Sequence, residues 1–149
     1  MAGFGNKNNA QKNKAQQKNQ IAGEALLKKA IDCHVQGDLT NAEQAYKKAI
    51  DYGISNVAIF SNLGFIYQTT QRINQAIAHY KKAIAINHNH PDPYTNLGGL
   101  YKDLGELDQA LAYTLKSLEL KPDNHTALMN LGAIYLALGN LDQALTATL

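Results

Sequence analysis

The sequence repeats itself at intervals of 34 residues, and this period constrains the fold more than any other feature. Leu63, Gly64 and Tyr67 are followed at that interval by the same three residue types. The later copies are Leu97, Gly98 and Tyr101, and then Leu131, Gly132 and Tyr135. Two further columns keep the same register: Ala42, Ala76, Ala110 and Ala144, and Tyr46, Tyr80, Thr114 and Thr148. A repeat of this length is too small to bury its own apolar face, so the units are expected to stack on one another.

The apolar residues within one unit have helical spacing. Phe60, Leu63 and Tyr67 fall three and four residues apart, which places them on one face of a helix. A second set with the same spacing, residues 73–84, follows a short polar break. Each unit is therefore expected to contain two helices of about a dozen residues.

Glycines indicate where these helices touch and where they end. One set lies in helix interiors: Gly64, Gly98 and Gly132. Glycine costs up to ~1 kcal/mol there relative to alanine, so we expect a close neighbour, with the recurring alanine of the second helix as its natural partner. Another set falls where the first helix must end in a left-handed residue: Gly37, Gly105 and Gly139. Gln71 stands at this position in the second unit, which predicts a strained corner.

The pattern Leu-Gly-x-x-Tyr, then Ala-x-x-x-aromatic, then Pro resembles the tetratricopeptide repeat (TPR) from Gly23 to the end of the sequence. The resemblance implies an all-α fold, a right-handed superhelix of helix-turn-helix units. The predicted units are residues 23–56, 57–90, 91–124 and 125–149. The first unit is atypical, and the last reaches only 25 of 34 positions. We therefore expect either the amino-terminal piece of a longer protein or an open end that stacks on another copy.

A polar, basic leader, residues 1–22, precedes the repeats. It contains four lysines and no acid, although the whole chain has 14 basic and 12 acidic residues. These lysines are Lys7, Lys12, Lys14 and Lys18. The leader is expected either to remain solvated or to extend the first helix backward from about residue 9. The net charge of +2 does not indicate a nucleic-acid-binding protein, which leaves only a weak RNA or acidic contact for residues 1–20.

Composition and motifs exclude several other classes. Cys33 is the only cysteine, which rules out an internal disulfide framework and a multi-cysteine zinc site. Catalytic and phosphate-binding motifs are absent from the sequence, as is an apolar run long enough to cross a membrane. His88, His90 and His125 lie near unit junctions, and the pair His88 and His90 could chelate a transition metal, but residues 87–91 occupy a turn where polar residues are ordinary. We expect a cytoplasmic chain with no cofactor, metal, membrane partner or catalytic site.

The resemblance also predicts where a ligand binds. In this family the first helices line a concave groove, and one column there is asparagine: Asn62, Asn96 and Asn130. A primary amide can bond to both the C=O and the N–H of an extended peptide. Residues 91–97, Pro-Asp-Pro-Tyr-Thr-Asn-Leu, also resemble the repeats of O-linked N-acetylglucosamine transferases, in which such asparagines contact bound peptide. The alternative is that these side chains only face water.

Other groove positions complete the predicted peptide site. Its residues are Asn62, Asn96, Asn130, Phe65, Gln68, Ser61, Thr95, Lys102 and Met129, with a further apolar contact at Leu136. The family's carboxylate clamp, which binds chaperone tails, is not expected. Its positions hold Leu27, Ile31, Asp92 and Asn96, and Asp92 would repel a carboxylate.

These features together predict a scaffold that binds a protein or an extended peptide. Two alternatives remain open. In the first, the array recruits substrates for a larger protein-modifying transferase. In the second, it self-assembles into a homo-oligomer through its incomplete fourth unit, using Leu138, Leu141 and Leu145.

Overall fold

The structure is built of helices that follow the 34-residue period. The computed structural model describes residues 4–140, Gln143 and Thr146, and all of its regular elements in this part of the chain are α-helices. They are α1 (Phe4–Val35), α2 (Leu39–Asp51), α3 (Val57–Thr69), α4 (Ile73–Ile86), α5 (Pro91–Asp103), α6 (Leu107–Leu120) and α7 (His125–Ala137). Two compact units divide the chain, Met1–Ser55 and Asn56–Leu149.

The compact unit Met1–Ser55 consists of α1 packed against α2. α1 begins at Phe4, earlier than the predicted residue 9, and its residues 9–21 are exposed. Residues 9–21 of the leader are therefore both helical and exposed, which combines the two interpretations of its composition. Close packing on the rest of the unit starts at Gly23, where an added Cβ would lie 2.6 Å from Ile54 Cγ1.

In the compact unit Asn56–Leu149, α3 pairs with α4 and α5 pairs with α6, as the helical spacing predicted. The first helices also contact one another in order, α3 with α5 and α5 with α7. Large side chains at the repeated positions are buried between the helices: Ile59, Leu63, Ile66, Tyr67, Tyr80, Leu97 and Ile134. Because α3, α5 and α7 contact one another in order, their surfaces adjoin. We call the surface formed by these three helices, on which Asn62, Asn96 and Asn130 lie, the first-helix face.

Gln71 is the strained corner that the sequence predicted. Its φ is +60°, in the left-handed region that costs a side-chain-bearing residue about 1–2 kcal/mol. Contacts of the next residue hold this turn closed: the Arg72 amide donates to the Tyr67 carbonyl at 2.8 Å, and the Arg72 guanidinium lies 4.4 Å from the centre of the Tyr67 ring. The equivalent corners have glycine at φ 76–79°.

The interior glycines have a different main partner from the predicted alanine. A Cβ at Gly64 would lie 2.5 Å from the Tyr80 ring, and one at Gly98 would lie 2.4 Å from Thr114 Oγ1. Tyr80 and Thr114 belong to the hydroxyl-bearing column, which is one helical turn beyond the alanine column. Gly64 and Gly98 therefore make room for a ring or hydroxyl of the second helix. Of these two, only Gly98 has the predicted alanine among its nearest contacts, where the Ala110 carbonyl oxygen would lie 3.4 Å from the Cβ.

Candidate functional site: the first-helix face

The asparagine column lies along the first-helix face. Asn62 is on α3, Asn96 on α5 and Asn130 on α7, and each is half-buried beside a buried leucine. Their position follows from the repeat, because the leucine must enter the core and the residue before it then falls at the edge of the face. All three side chains are thus held on rigid helices rather than on loops.

The Asn130 side chain lies against the backbone of α5 at Gly99, which has no side chain. Its Nδ2 atom lies 3.2 Å from the point that a Cβ of Gly99 would occupy. Gly99 is half-buried, and the position holds Phe65 in the preceding unit and Ala133 in the following one. The glycine therefore leaves the Asn130 amide next to the α5 backbone, and the face is locally flat there.

Apolar side chains flank the amides. Phe65 is 49% exposed, Met129 71% and Leu136 57%. Met129 and Leu136 lie seven residues apart on α7 with the exposed Ala133 between them, so they form one stripe. α7, like α3, contains no Asp, Glu, Lys or Arg, so this stripe carries no charged side chain of that kind.

The charged groups of the face lie on α5. Lys102 Nζ is 3.1 Å from Asp103 Oδ1, and the Lys102 side chain is only 28% exposed. Asp92 is also exposed at the start of α5. These three groups are two carboxylates and one ammonium, so the charged part of the face is acidic rather than basic.

Three predicted contact residues have polar atoms that are buried or hydrogen-bonded within the fold. Thr95 is 6% exposed, and its Oγ1 lies 2.7 Å from Ser117 Oγ inside the fold. Ser61 has a buried Oγ. Gln68 Oε1 accepts a 2.9 Å hydrogen bond from Tyr80, and burial raises the pKa of that phenol, which keeps the proton in place. Ser61 and Gln68 are nevertheless half-buried rather than buried, so a peptide contact at these three positions stays a prediction.

The residues weighed for metal or thiol chemistry stay apart. Within residues 4–140 and the two described positions beyond them, no three His, Cys, Asp or Glu side chains are grouped to hold a metal ion. His88 and His125 are exposed, and Cys33 is half-buried in α1. No helix of the described chain has the length and apolar character required to cross a bilayer.

One buried polar cluster was missed by the sequence analysis. Asn124 Nδ2 donates to Thr95 Oγ1 at 2.8 Å and to Ser117 Oγ at 3.1 Å. Aligning the units would have given a signal, because Ser117 is a polar residue at a position that is Ala49 and Ala83 in the earlier units. A hydroxyl at an otherwise apolar core position requires a partner.

Comparison with family models identifies the repeats. A TPR repeat model matches residues 70–105, and two tetratricopeptide repeat models match residues 91–124 and 113–146. A search of curated protein sequences gave no match. The models together cover the described helices from the start of α4 onward.

Solved structures with the same fold include three informative ones. MamA has a TM-score of 0.78 at 27% identity, over 85% of this chain and 74% of that chain. A tetratricopeptide repeat protein from Parabacteroides merdae has a TM-score of 0.76 at 29% identity, over 85% of this chain and 50% of that one. The first TPR of Spaghetti (RPAP3), bound to the HSP90 peptide SRMEEVD, has a TM-score of 0.74 at 25% identity, over 80% and 95%.

Proposed function

Because residues 70–146 are tetratricopeptide repeats and the chain has the all-α TPR superhelix fold, we propose that it is a non-catalytic scaffold that binds an extended peptide on its first-helix face. The observation that carries this proposal is the juxtaposition on that face of half-buried amides with the uncharged stripe of α7. The first TPR of Spaghetti, whose structure contains a bound peptide, supports this use of the fold.

The amides supply the sequence-independent part of the binding. Asn96 and Asn130 each carry two N–H donors and one carbonyl acceptor, which can pair with a peptide main chain whatever its side chains are. A net hydrogen bond contributes about 0.5–1.5 kcal/mol, so two or three such contacts alone give only weak binding. Additional apolar contacts are needed for micromolar affinity.

The apolar contacts come from both ends of the face. Phe65 on α3 and Met129 with Leu136 on α7 leave about half or more of their surfaces exposed. Complete burial of an apolar side chain contributes roughly 1.5–3 kcal/mol, so covering the exposed part of one of these contributes roughly half to two-thirds of that. We propose that a bound peptide places one apolar residue near the α7 stripe.

The charges of the face argue for a peptide that is not strongly acidic. The HSP90 peptide SRMEEVD bound by Spaghetti carries three acidic residues. In this chain Asp92 and Asp103 are exposed on α5, and Lys102 is already paired with Asp103. An acidic tail would be repelled here, so the proposed ligand is neutral or basic with apolar anchors.

Peptide selection tests this function. The full chain is immobilised and used to select from a phage-displayed library of random twelve-residue peptides, and the affinity of a selected peptide is then measured. Replacing Asn62, Asn96 and Asn130 together by Ala should weaken binding at least tenfold, from a loss of about 1 kcal/mol at each contact. Asn74→Ala on α4, an exposed asparagine off the face, is the matched control. Equal affinity of the triple variant and the control would reject the amide column.

The finer expectations from the sequence remain predictions. They are that the array is the amino-terminal module of a longer protein or recruits substrates for a transferase, that it is cytoplasmic, and that residues 1–20 contact RNA or an acidic surface. Self-assembly through the fourth unit also stays a prediction, since Leu141 and Leu145 lie outside the described residues and only Leu138 is described, as exposed. Light scattering that shows a monomer at about 100 µM would count against self-assembly, because a large apolar interface should persist there.

A further inference from the structure

The joint between α6 and α7 is closed by a hydrogen-bonded cluster, which we call the amide staple. Asn124 precedes α7, and its Oδ1 accepts a hydrogen bond from the Ala127 amide at 3.3 Å. Its Nδ2 donates to Thr95 of α5 at 2.8 Å and to Ser117 of α6 at 3.1 Å. Thr95 Oγ1 and Ser117 Oγ are themselves 2.7 Å apart. One side chain therefore caps α7 and ties it to both preceding helices.

The joint between α4 and α5 has different residues at the same three positions. Those residues, each 34 earlier in the sequence, are Ser61, Ala83 and His90. Ser61 Oγ and His90 Nδ1 are both buried, and neither has a hydrogen-bond partner among the described residues. His90 precedes α5 but does not cap it, and its nearest charged atom is Asp92 Oδ2 at 3.8 Å. Ala83 is fully buried and supplies no hydroxyl to replace that of Ser117.

The free-energy cost of separating the helices differs between these two joints. Separating α7 from α5 and α6 breaks several hydrogen bonds within the staple. Separating α5 from α3 and α4 breaks no such cluster, and it gives water access to Ser61 Oγ, which is unsatisfied while the joint is closed. Burying a polar atom without a partner is unfavourable, so opening relieves part of that cost at the second joint only.

We propose that the joint between α4 and α5 is the compliant joint of residues 56–140, and that it opens locally by separating the first turn of α5 from α3 and α4. Since Phe65 lies on α3 and Asn96 on α5, this opening changes the spacing between them on the first-helix face. The proposal does not depend on peptide binding, because it concerns the free protein and is measured there.

Deletion of one hydroxyl at each joint gives a matched test. Ser61→Ala removes an unsatisfied group, whereas Thr95→Val removes a member of the staple. Native-state hydrogen exchange of the full chain, followed by NMR, reports opening of α5 at amides 94–97 and of α7 at amides 128–131. We expect Ser61→Ala to slow exchange at 94–97 and Thr95→Val to accelerate exchange at 128–131, each by about tenfold. Unchanged or faster exchange at 94–97 in Ser61→Ala would overturn the proposal.

Transplanting the staple tests the same idea in the other direction. The double variant Ala83→Ser/His90→Asn supplies the two residue types that the joint lacks, next to the existing Ser61 hydroxyl. Exchange at 94–97 should slow by at least about tenfold, while exchange at 128–131 stays as in the unmodified chain. If exchange at 94–97 is not slowed in the folded double variant, the missing staple does not make this joint compliant. This variant also decides the question if Thr95→Val does not fold.

Discussion

Gly98 and Gly99 are neighbours in α5, yet the same added methyl group should affect them in opposite ways. A Cβ at Gly98 would lie 2.4 Å from Thr114 Oγ1 and 3.2 Å from the Thr114 backbone nitrogen. At Gly99 the nearest atom would be Asn130 Nδ2, at 3.2 Å. The first obstacle is close to the backbone of α6, whereas the second is the far end of a movable side chain.

The magnitudes follow from these distances. Restoring an ordinary contact of about 3.4 Å at Gly98 requires Thr114 Oγ1 to move by about 1 Å and the Thr114 backbone nitrogen by about 0.2 Å. Overpacking costs typically 1–3 kcal/mol, and we take about 3 because the obstruction includes backbone. Replacing an interior helical glycine by alanine returns about 1 kcal/mol. Gly98→Ala should therefore destabilise the chain by about 2 kcal/mol. Gly99→Ala should stabilise it by about 0.5 kcal/mol, after a few tenths are lost in moving the Asn130 amide.

Urea denaturation followed by far-UV circular dichroism measures both variants. The midpoint should fall for Gly98→Ala and stay level or rise for Gly99→Ala. Adding Thr114→Ala to the first variant should recover part of the loss, because it removes the 2.4 Å contact but leaves the one at 3.2 Å. Equal stabilities for the two alanine variants would refute the packing argument, as would a Gly99→Ala variant that loses as much as Gly98→Ala.

Three further changes have definite expected results. Thr114→Val should raise the free energy of unfolding by about 1 kcal/mol in urea, because Thr114 Oγ1 is buried without a hydrogen-bond partner in the described residues; a loss would contradict this. Asn56→Ala should lower it by about 1 kcal/mol, since Asn56 Oδ1 accepts the Ile59 amide at 2.9 Å at the start of α3; an unchanged midpoint would argue against the cap. Burial lowers the pKa of His34 below 6.5, so its contribution to stability is present above pH 6.5 and lost as the pH falls through the folded-state pKa. His34→Gln should flatten this part of the melting-temperature profile between pH 5 and 8, and an unchanged profile would contradict it.

The fold was predictable because the repeat carries redundant information. The same helical spacing of apolar residues recurs in each unit, and the left-handed residue that ends the first helix is glycine in three units. Gln71 could be assigned to the fourth such corner only by this register, and its φ of +60° agrees. Local propensity alone would not have indicated a turn at a glutamine.

The candidate site was less predictable than the fold, because the position in the repeat determines which way a side chain points but not how much of it is exposed. Ser61, Thr95 and Met129 share one repeat position, yet Met129 is 71% exposed and Thr95 only 6%. The Thr95 hydroxyl is hydrogen-bonded inside the fold to Ser117 and Asn124, which lie 22 and 29 residues later in the sequence. The identity of such partners depends on tertiary packing, which a single repeat position does not encode.

The interior glycines show the same limit. Their spacing predicted a close approach, which the structure has at Gly64 and Gly98, but the nearest atoms come from the Tyr80 and Thr114 column, with the Ala110 carbonyl oxygen farther away at Gly98. Tyr80 reaches Gly64 with its ring because a long side chain covers the turn before its own Cα. Sequence spacing alone placed the shorter alanine at this contact.

The proposed peptide site is tested most directly by mapping a bound peptide on the chain by NMR. A library-selected peptide is titrated into the isotope-labelled full chain, and the backbone amides and asparagine side-chain amides are followed. The account predicts that the largest shifts fall on the first-helix face, at the side-chain amides of Asn96 and Asn130 and the backbone amide of Gly99, while Asn74 on α4 stays unchanged. Shifts confined to α4 and α6 would contradict the account.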